Sequence, residues 1–405
     1  MSQRTETDVD LPAIAGGAPV RAAPLRAPNR YGDDELRELR EALEQGTLFY
    51  AQGRKVKQLE AEFAAAVGAK FAVACSSGTA AVHAALIAAG ISQGDEVIVP
   101  PITDMGSIVP ILWQGGVPVF ADLDPRTYNL APRDVEQRIT DKTRAILAVH
   151  LAGNPCEMSW LRKLARRHRL VLIEDCAQAH GARFLGQHVG TMGEFGCFSF
   201  NEFKHISCGD GGVVVTRNEQ AAHRLRLATD KGYDRTASAD TIRHAALLAN
   251  NYRMTELQAA VALAQLRKLP SIVQRRQRWC DALRSQIADL PGLLLPRATD
   301  GGEPSWWFYL MRVVPESLGA DADALAAALR AEGLSVWAHY IGKCVYTYPL
   351  FTSGRHALRA SPCPVAEAIL ETAVVLNVHE AYGDEELRQT VRATRRVALW
   401  FNGRR

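Results

Sequence analysis

The sequence lacks the features that would place it in several broad classes. Its eight cysteines are scattered and form no C-x-x-C pair, which argues against a zinc knuckle and a disulfide framework. No stretch reaches the roughly 18 uncharged apolar residues that a membrane span needs. Residues 1–10 are polar, without the apolar region of a secretion signal. We therefore expect a cytoplasmic protein with no metal site.

An excess of charge of one sign is also missing. The 47 basic and 44 acidic side chains leave a formal net charge of +3, which argues against nucleic acid or a membrane surface as the main partner. Any anion must then be bound by a local arrangement of groups. With 405 residues and 47% hydrophobic content, the chain can form a large core and a second, smaller domain.

From residue 71 onward, short apolar runs alternate with segments of helical length. Runs at 71–75, 96–99 and 117–121 are typical of buried strands, and the alternation predicts an α/β fold with a mostly parallel central sheet. Ligands of such sheets bind at the carboxyl ends of the strands. The predicted site therefore lies in the loops that follow these runs.

The C-terminal third has a different pattern. Strand-like runs at 306–314 and 335–339 alternate with helical segments at 321–331 and from 384 to about 400, which favours a smaller α+β domain. A helical passage over 254–290, interrupted at Pro270, leads into it. We predict an N-terminal arm at 1–30, a large domain at 31–270 and a small domain at 271–405.

Three segments carry residues suited to chemistry. The first is the small-residue turn Ser77-Gly78-Thr79, between a predicted strand and a predicted helix. A helix N-terminus offers unpaired N–H groups and a positive dipole end, so this turn can hold a phosphate. An ordinary Ser/Thr helix cap has the same sequence pattern.

The second segment is the apolar run Leu170–Ile173, which ends in the two acids Glu174 and Asp175. An acid at the carboxyl end of a central strand is placed to reach a ligand, although a structural salt bridge is the alternative. The third segment runs from Ser199 to Lys204 and into a glycine-rich turn. A lysine that condenses with an aldehyde needs partial desolvation and a rigid support, whereas a lone lysine is more often a surface charge.

Together these segments resemble the DegT/DnrJ/EryC1/StrS family of sugar aminotransferases, which have the fold-type I pyridoxal-phosphate architecture. The resemblance runs from about residue 16 to residue 400. It implies that Gly78, Thr79 and Ser199 bind the phosphate of pyridoxal 5'-phosphate, and that Lys204 binds its aldehyde and transfers protons. In a related dehydratase branch, histidine takes the lysine position, but here His205 comes one residue late.

The same resemblance assigns the ring of the cofactor to two further residues. Asp175 would keep the pyridine nitrogen protonated, so that the ring accepts electrons. Gln178 would donate a hydrogen bond to the phenolic oxygen of the ring. Lys204 and Asp175 are thus the expected catalytic residues.

The segment Asn250–Ala260 resembles the family's N-Y-R-M signature. In the family, the asparagine crosses a dimer interface to the neighbour's cofactor phosphate, which implies this role for Asn251 and a homodimer with shared active sites. Arg253 either serves the substrate or braces the loop.

Two positions depart from the family. Many relatives carry an aromatic residue where this chain has Asp104, and that ring stacks on the cofactor. Either Ile102 or Met105 then covers the ring, or Asp104 contacts the substrate amine. Glu202 replaces a more frequent proline just before the lysine.

The expected activity is the transfer of an amino group from glutamate or glutamine to an oxo-sugar or oxo-cyclitol. Residues 14–21 resemble the leader of relatives that act on inososes, aminohydroxybenzoate precursors or sugar nucleotides, and residues 337–343 resemble a loop at the substrate mouth. A pyridoxal-phosphate-dependent sugar dehydratase or epimerase and a non-catalytic sensory protein remain alternatives. A nicotinamide oxidoreductase is disfavoured because no G-x-G-x-x-G follows the first strand.

Overall fold

The computed structural model describes residues 11–22, 25, 29–354, 356–359 and 362–403. The polar segment at residues 1–10 lies outside the described residues, and so does part of the predicted N-terminal arm. No helix in the described ranges is both long enough and apolar enough to cross a membrane.

Strands and helices alternate along the first half of the described chain. The strands of the whole described chain are β1 Phe71–Cys75, β2 Glu96–Val99, β3 Val117–Phe120, β4 Thr143–Val149, β5 Val171–Asp175, β6 Arg183–Phe184, β7 Gln187–His188, β8 Phe195–Ser199, β9 Gly212–Thr216, β10 Leu293–Leu294, β11 Gly302–Glu303, β12 Phe308–Val313, β13 Val336–Ala338 and β14 Ala373–Asn377. Its helices are α1 Asp33–Glu44, α2 Lys55–Val67, α3 Gly78–Ala89, α4 Val109–Trp113, α5 Pro132–Arg138, α6 Met158–His168, α7 Glu219–Thr229, α8 Glu256–Ile287, α9 Pro315–Leu318, α10 Ala322–Ala331, α11 Pro349–Thr352, α12 Pro364–Thr372 and α13 Asp384–Asn402.

The central sheet has the order β1-β9-β8-β5-β4-β2-β3 within the described residues. All neighbouring strands are parallel except at β9, which is antiparallel to both β1 and β8. The prediction of an α/β fold with a mostly parallel sheet is confirmed. Because β2, β5 and β8 are parallel, the loops after them open at the same edge of the sheet.

A second sheet, β10-β12-β14-β13, is formed by the C-terminal part of the chain and is antiparallel throughout. Its central strand β14 was missed by the sequence analysis, because α12 ends directly where β14 begins. The short strands β11, β6 and β7 form a third, small sheet.

Helix α8 joins the parts that carry the two large sheets. It runs without a break through Pro270, where an interruption was expected. Proline removes one helical hydrogen bond, but a long buried helix face can compensate for that loss. The proposed domain boundary at residue 270 therefore falls inside a helix, and the division into domains stays a prediction.

Leu36, Leu39 and Leu43 recur at the spacing of one helix face. Helix α1 forms over them, but it buries a different face. Leu36 and Leu43 are 59% and 62% exposed, whereas Glu35 and Glu38 are buried. The buried carboxylates have cationic partners: Lys268 bonds Glu35 at 2.6 Å, and Lys55 bonds Glu38 at 2.6 Å. Paired charges thus form the inner face of the helix, and an apolar stripe faces outward.

Candidate active site

A cavity of about 220 Å³ opens at the carboxyl edge of the central sheet. Six of the seven residues predicted to bind cofactor line it, and only Asn251 does not. The complete lining is Ser77, Gly78, Thr79, Thr103, Asp104, Gly106, Ser107, Asp175, Ala177, Gln178, Ser199, Asn201, Lys204 and Asp210.

One corner of the cavity is built by the turn between β1 and α3. The Ser77 hydroxyl caps the helix by accepting a hydrogen bond from the Ala80 N–H at 3.0 Å. The first N–H groups of a helix otherwise lack partners, and here they belong to Gly78 and Thr79. A Cβ atom on Gly78 would lie 2.6 Å from the Ser199 Cβ. Glycine therefore lets the helix N-terminus and the Ser199 hydroxyl approach one another, which makes a cradle for an anion.

The two acids at the end of β5 point to opposite faces of the sheet, as alternating strand residues do. Asp175 lines the cavity and accepts hydrogen bonds from the Ser107 hydroxyl at 2.8 Å and the Ala177 N–H at 3.0 Å. Burial raises the pKa of its carboxyl, and these hydrogen bonds and the charge of Lys204 oppose that rise. A fixed carboxylate at this position can pair with a protonated ring nitrogen.

Glu174 serves the structure instead. It accepts hydrogen bonds from the N–H groups of Gly190, Met192 and Gly193 at 2.6–2.8 Å, and His150 bonds it at 3.1 Å. His150, Glu174 and Cys176 lie close enough to share a metal ion. However, the Glu174 oxygens and both His150 nitrogens already have protein partners. We interpret the cluster as a brace for the loop before β8.

Gln178 is held from two directions. Its side-chain oxygen accepts a hydrogen bond from the Ala152 N–H at 2.8 Å, and its amide nitrogen lies 3.3 Å from the Tyr340 hydroxyl. Tyr340 follows β13, and both it and His339 have left-handed backbone angles, with φ of 48° and 63°. Non-glycine residues adopt this conformation at a cost, often near functional sites. The Gln178 amide is thereby positioned as a donor to a ligand oxygen.

Lys204 is largely buried under an aromatic ring. Its ammonium nitrogen lies 3.7 Å from the centroid of the Trp307 ring, and the Trp307 indole N–H donates to the Phe203 carbonyl at 2.6 Å. Burial lowers the pKa of Lys204 to about 8, although the charges of Asp175 and Asp104 raise it. With such a pKa, roughly a tenth of the lysine is neutral amine at pH 7, far more than for an exposed lysine, and condensation with an aldehyde requires that form.

The loop that carries Lys204 is held by residues 30 and 31, which lie just before α1. Arg30 donates a hydrogen bond to the Lys204 carbonyl at 2.7 Å. Tyr31 donates to the Glu202 carboxylate at 2.5 Å, and the Ser207 hydroxyl donates to the same oxygen at 3.1 Å. Glu202, which stands in place of a more frequent proline, is therefore part of this fastening.

Asn251 lies apart from the cavity, on the exposed surface. The Arg253 N–H lies 3.5 Å from the Asn251 side-chain oxygen. The Arg253 guanidinium pairs with the buried carboxylate of Asp230 at 2.5 Å, and Asp230 also forms a β-bridge with Asn251. Of the two roles considered for Arg253, this contact favours bracing of the loop.

The residues of the cavity fit pyridoxal phosphate. The cradle at Gly78 and Ser199 suits a phosphate, and Asp175 and Gln178 suit the ring nitrogen and the phenolic oxygen. Lys204 suits the aldehyde. The close approach at Gly78, which a Cβ would fill, is the feature that an ordinary helix cap does not need.

Three contributors were missed by the sequence analysis: Ser107, Thr103 and Trp307. Tyr340 lies in the segment 337–343, which was expected to form a loop at the substrate mouth. The Thr103 and Ser107 hydroxyls are 2.7 Å apart, and Ser107 fixes Asp175. Their position after β2 could have drawn attention to them. Trp307 precedes a strand of the distant second sheet, and no local pattern marks its contact with Lys204.

Comparisons with known proteins agree with this geometry. The model of the DegT/DnrJ/EryC1/StrS aminotransferase family matches residues 29–395. GDP-perosamine synthase from Caulobacter vibrioides is 36% identical over 326 residues, which cover 80% of this chain and 84% of that protein.

Two solved structures are also similar. The aminotransferase from Psychrobacter cryohalolentis superposes with a TM-score of 0.85 and 31% identity, over 91% of this chain and 98% of that one. GDP-4-keto-6-deoxy-D-mannose-3-dehydratase from E. coli, with bound hydrated PLP, has a TM-score of 0.83 and 26% identity, over 92% and 99%. The similar proteins thus include both an aminotransferase and a dehydratase.

Proposed function

Because the chain belongs to the DegT/DnrJ/EryC1/StrS aminotransferase family, whose members depend on pyridoxal phosphate, we propose that it transfers an amino group from glutamate or glutamine to an oxo-sugar or oxo-cyclitol. The observation that carries this proposal is the placement of Lys204, a buried amine of lowered pKa beside Asp175 in the cavity. The name of the GDP-perosamine synthase relative supports a sugar acceptor.

The cofactor, when bound, supplies an aldehyde that takes up the amino group and a protonated ring that accepts electrons. Gly78, Thr79 and Ser199 bind its phosphate, and Asp175 holds the proton on its ring nitrogen. In the first half of the reaction, the donor amino acid would give up its nitrogen and leave as its oxo acid. In the second half, the oxo acceptor would take that nitrogen.

Lys204 has two tasks in this scheme. Its neutral amine binds the aldehyde before the donor arrives. Once displaced, the same amine accepts a proton from one carbon and returns it to another, which contributes about 10²–10⁴-fold to the rate in comparable enzymes. The Trp307 ring limits the access of water to this amine.

Dehydration of a similar sugar is the second candidate, because the E. coli dehydratase has a similar fold. The position of His205 favours transamination. It is fully buried, and its Nε2 bonds the Ser305 carbonyl at 3.2 Å, away from the residues that line the cavity. Lys204, and not a histidine, therefore faces the substrate.

We further propose a homodimer in which Asn251 reaches the phosphate of the partner. The Asn251 amide nitrogen makes no hydrogen bond with any described residue, so it is free to bind a ligand outside its own chain. Two large apolar side chains are exposed: Leu248, which is close to Asn251 in sequence, is 92% exposed, and Phe203, in the loop that carries Lys204, is 75% exposed. Both side chains are available for burial against a partner.

The test separates the two halves of the reaction. The holoenzyme should be yellow, and glutamate or glutamine should bleach it. A panel of oxo-sugar nucleotides and inososes is then added to the bleached enzyme, and return of the colour with an aminated product of the expected mass supports the proposal. A deoxygenated product without nitrogen would identify a dehydratase. A protein that neither binds pyridoxal phosphate nor bleaches would be a sensor or another non-catalytic member.

A further inference from the structure

Asp104 places a carboxylate in the cavity that the scheme above does not use. It follows β2 and caps the short 3-10 turn Met105–Ser107, with its Oδ1 accepting a hydrogen bond from the Gly106 N–H at 2.7 Å. Its Oδ2 has no hydrogen bond and no ion pair within the described chain. The side chain is thus held by one oxygen while the other is free.

The two residues that could instead have covered the cofactor ring, Ile102 and Met105, do not line the cavity. Ile102 is 1% exposed and packs in the core, and Met105 packs against the same core without lining the cavity. Asp104 is the residue of this turn that combines an exposed side chain with a place in the lining. At this turn the cavity is therefore lined by a carboxylate, and not by an apolar side chain that would cover the cofactor ring.

Glycine at position 106 makes this placement possible. A Cβ there would lie 2.7 Å from the Thr79 Oγ1 and 2.9 Å from the Asp104 Oδ1. The turn therefore brings Asp104 close to the phosphate cradle and fixes its orientation before any ligand binds. A group held in this way loses little conformational entropy on binding.

The charge of Asp104 reaches several groups around the cavity. Burial lowers the pKa of Lys204 to about 8, and Asp175 and Asp104 oppose that change. Burial raises the pKa of the Tyr348 phenol, and Asp104 raises it further. Asp104 is thus within electrostatic range of both Lys204 and Tyr348, a tyrosine that follows β13.

The charges of the cavity favour a neutral group there. Asp104, Asp175 and Asp210 line it with carboxylates, whereas Lys204 is the cation among its lining residues. A carboxylate of the acceptor placed against the free oxygen of Asp104 would be repelled. A hydroxyl group would instead donate a hydrogen bond to a charged acceptor, which is among the stronger neutral–ion contacts.

We propose that the free oxygen of Asp104 accepts a hydrogen bond from a hydroxyl group next to the reacting carbonyl of the amino acceptor. Asp104 is then a specificity residue. It selects polyhydroxylated oxo-rings over oxo compounds that lack this hydroxyl or carry an anionic group in its place. This inference rests on the proposed aminotransferase function and names the chemistry by which its acceptor is chosen.

The first test measures binding without turnover. Holoenzyme is titrated by calorimetry with two unreactive ring compounds, myo-inositol and UDP-glucose, and with the deoxy counterpart of each. Asp104→Asn keeps the size of the side chain and an oxygen for the Gly106 N–H, but it replaces the free acceptor with an amide. We expect a hydroxylated probe to bind about 10- to 150-fold more weakly to this variant, the range for a hydrogen bond to a charged group.

The matched control is Asp141→Asn, an exposed carboxylate before β4, at the opposite edge of the sheet. It should leave binding of both probes unchanged. The deoxy counterparts should bind equally to Asp104→Asn and to the native protein. Failure of both hydroxylated probes to bind the native holoenzyme, or an equal loss for hydroxylated and deoxy probes, would overturn the proposal.

The second test compares the two halves of the reaction. In Asp104→Asn, the acceptor step should slow at least about tenfold more than the donor step, because the lost hydrogen bond belongs to the acceptor. Equal slowing would assign Asp104 to the amine of the donor and refute the inference. If the native protein does not bleach with glutamate or glutamine, the proposed function itself has failed, and that outcome is distinct from a failure of the Asp104 assignment.

Discussion

The ammonium group of Lys204 lies 3.7 Å from the centroid of the Trp307 ring, and the same indole donates a hydrogen bond to the carbonyl of Phe203. One side chain therefore covers the lysine and also fixes the loop that carries it. The contact joins the loop after β8 of the central sheet to the segment before β12 of the second sheet. A cation over an aromatic face is attracted to it, so the ring holds the amine in place while excluding water.

The pH dependence of cofactor binding should report this environment. A protonated amine does not attack an aldehyde, so covalent attachment of pyridoxal phosphate to the apoprotein should accelerate as pH rises through about 8, rather than near the 10.5 of an exposed lysine. Asp175 and Asp104 favour the charged form, and the nearby His180 has its pKa lowered by burial. Asp175→Asn should therefore move the midpoint to lower pH, whereas Asp141→Asn should not. The absorbance change on mixing gives the rate. A midpoint near 10 would contradict the buried position of Lys204.

Lys204→Ala should separate cofactor binding from catalysis. The phosphate and ring contacts do not involve the lysine, so the variant should still bind pyridoxal phosphate, but reversibly. Its proton transfer should slow by about 10²–10⁴-fold, the usual contribution of a positioned acid–base group. Lys204→His should also lose transamination without gaining efficient dehydration.

Borohydride reduction of the native holoenzyme, followed by peptide mapping, should place the pyridoxyl group on Lys204. Its recovery on Lys231 or Lys343 would disprove the site.

Asp175→Asn should slow turnover by roughly 10- to 150-fold, because a charge-assisted hydrogen bond contributes about 1.5–3 kcal/mol. Ser107→Ala should have a smaller effect, roughly 2- to 10-fold, because it removes one neutral donor from Asp175 and leaves the Ala177 N–H in place. Ser285→Ala, on the exposed side of α8, is the control. Steady-state kinetics provide the measurement. Unchanged turnover in Asp175→Asn would show that this carboxylate does not serve the ring.

Gly78→Ala should weaken cofactor binding because the new Cβ would lie 2.6 Å from the Ser199 Cβ. Overpacking of this kind destabilises by about 1–3 kcal/mol. Gly383→Ala is the control, since its nearest neighbour would be 3.7 Å away. The measurements are thermal unfolding of the apoproteins and the affinity for pyridoxal phosphate. Adding Ser199→Gly to Gly78→Ala should restore stability but not affinity. Recovery of both would mean that the Ser199 hydroxyl does not bind the phosphate.

The role of Asn251 can be tested by complementation. If Asn251 acts on the partner's cofactor, mixing inactive Asn251→Ala and Lys204→Ala chains should produce hybrid dimers with one site that carries both changes and one that carries neither. Activity should recover toward half of the native value per hybrid. Size-exclusion chromatography with differently tagged chains confirms the exchange. Absence of activity in hybrids of proven composition would place Asn251 outside the partner's site.

How far the sequence predicts this site depends on where each residue lies in the chain. Asp175 ends a strand, and Gly78 and Lys204 follow close behind strands. The rule that parallel strands end at one edge brings the three residues together. The opposite directions of Glu174 and Asp175 likewise follow from the strand period of two. Trp307 reaches Lys204 through packing between the parts of the chain that carry the two sheets, which no local pattern encodes. Leu36 and Leu43 show the same limit, because apolar spacing predicts a helix but not which face other elements will cover.

Lys204 and the Trp307 ring that covers it are synthesised at different times. Phe203 and Trp307 are separated by 104 residues, and chains emerge from the ribosome at about 5–20 residues per second. For roughly 5 to 20 s during synthesis, the lysine exists without its indole, as an ordinary hydrated ammonium group. We therefore expect the lysine to acquire its capacity to capture the cofactor late, once the segment before β12 has packed over it.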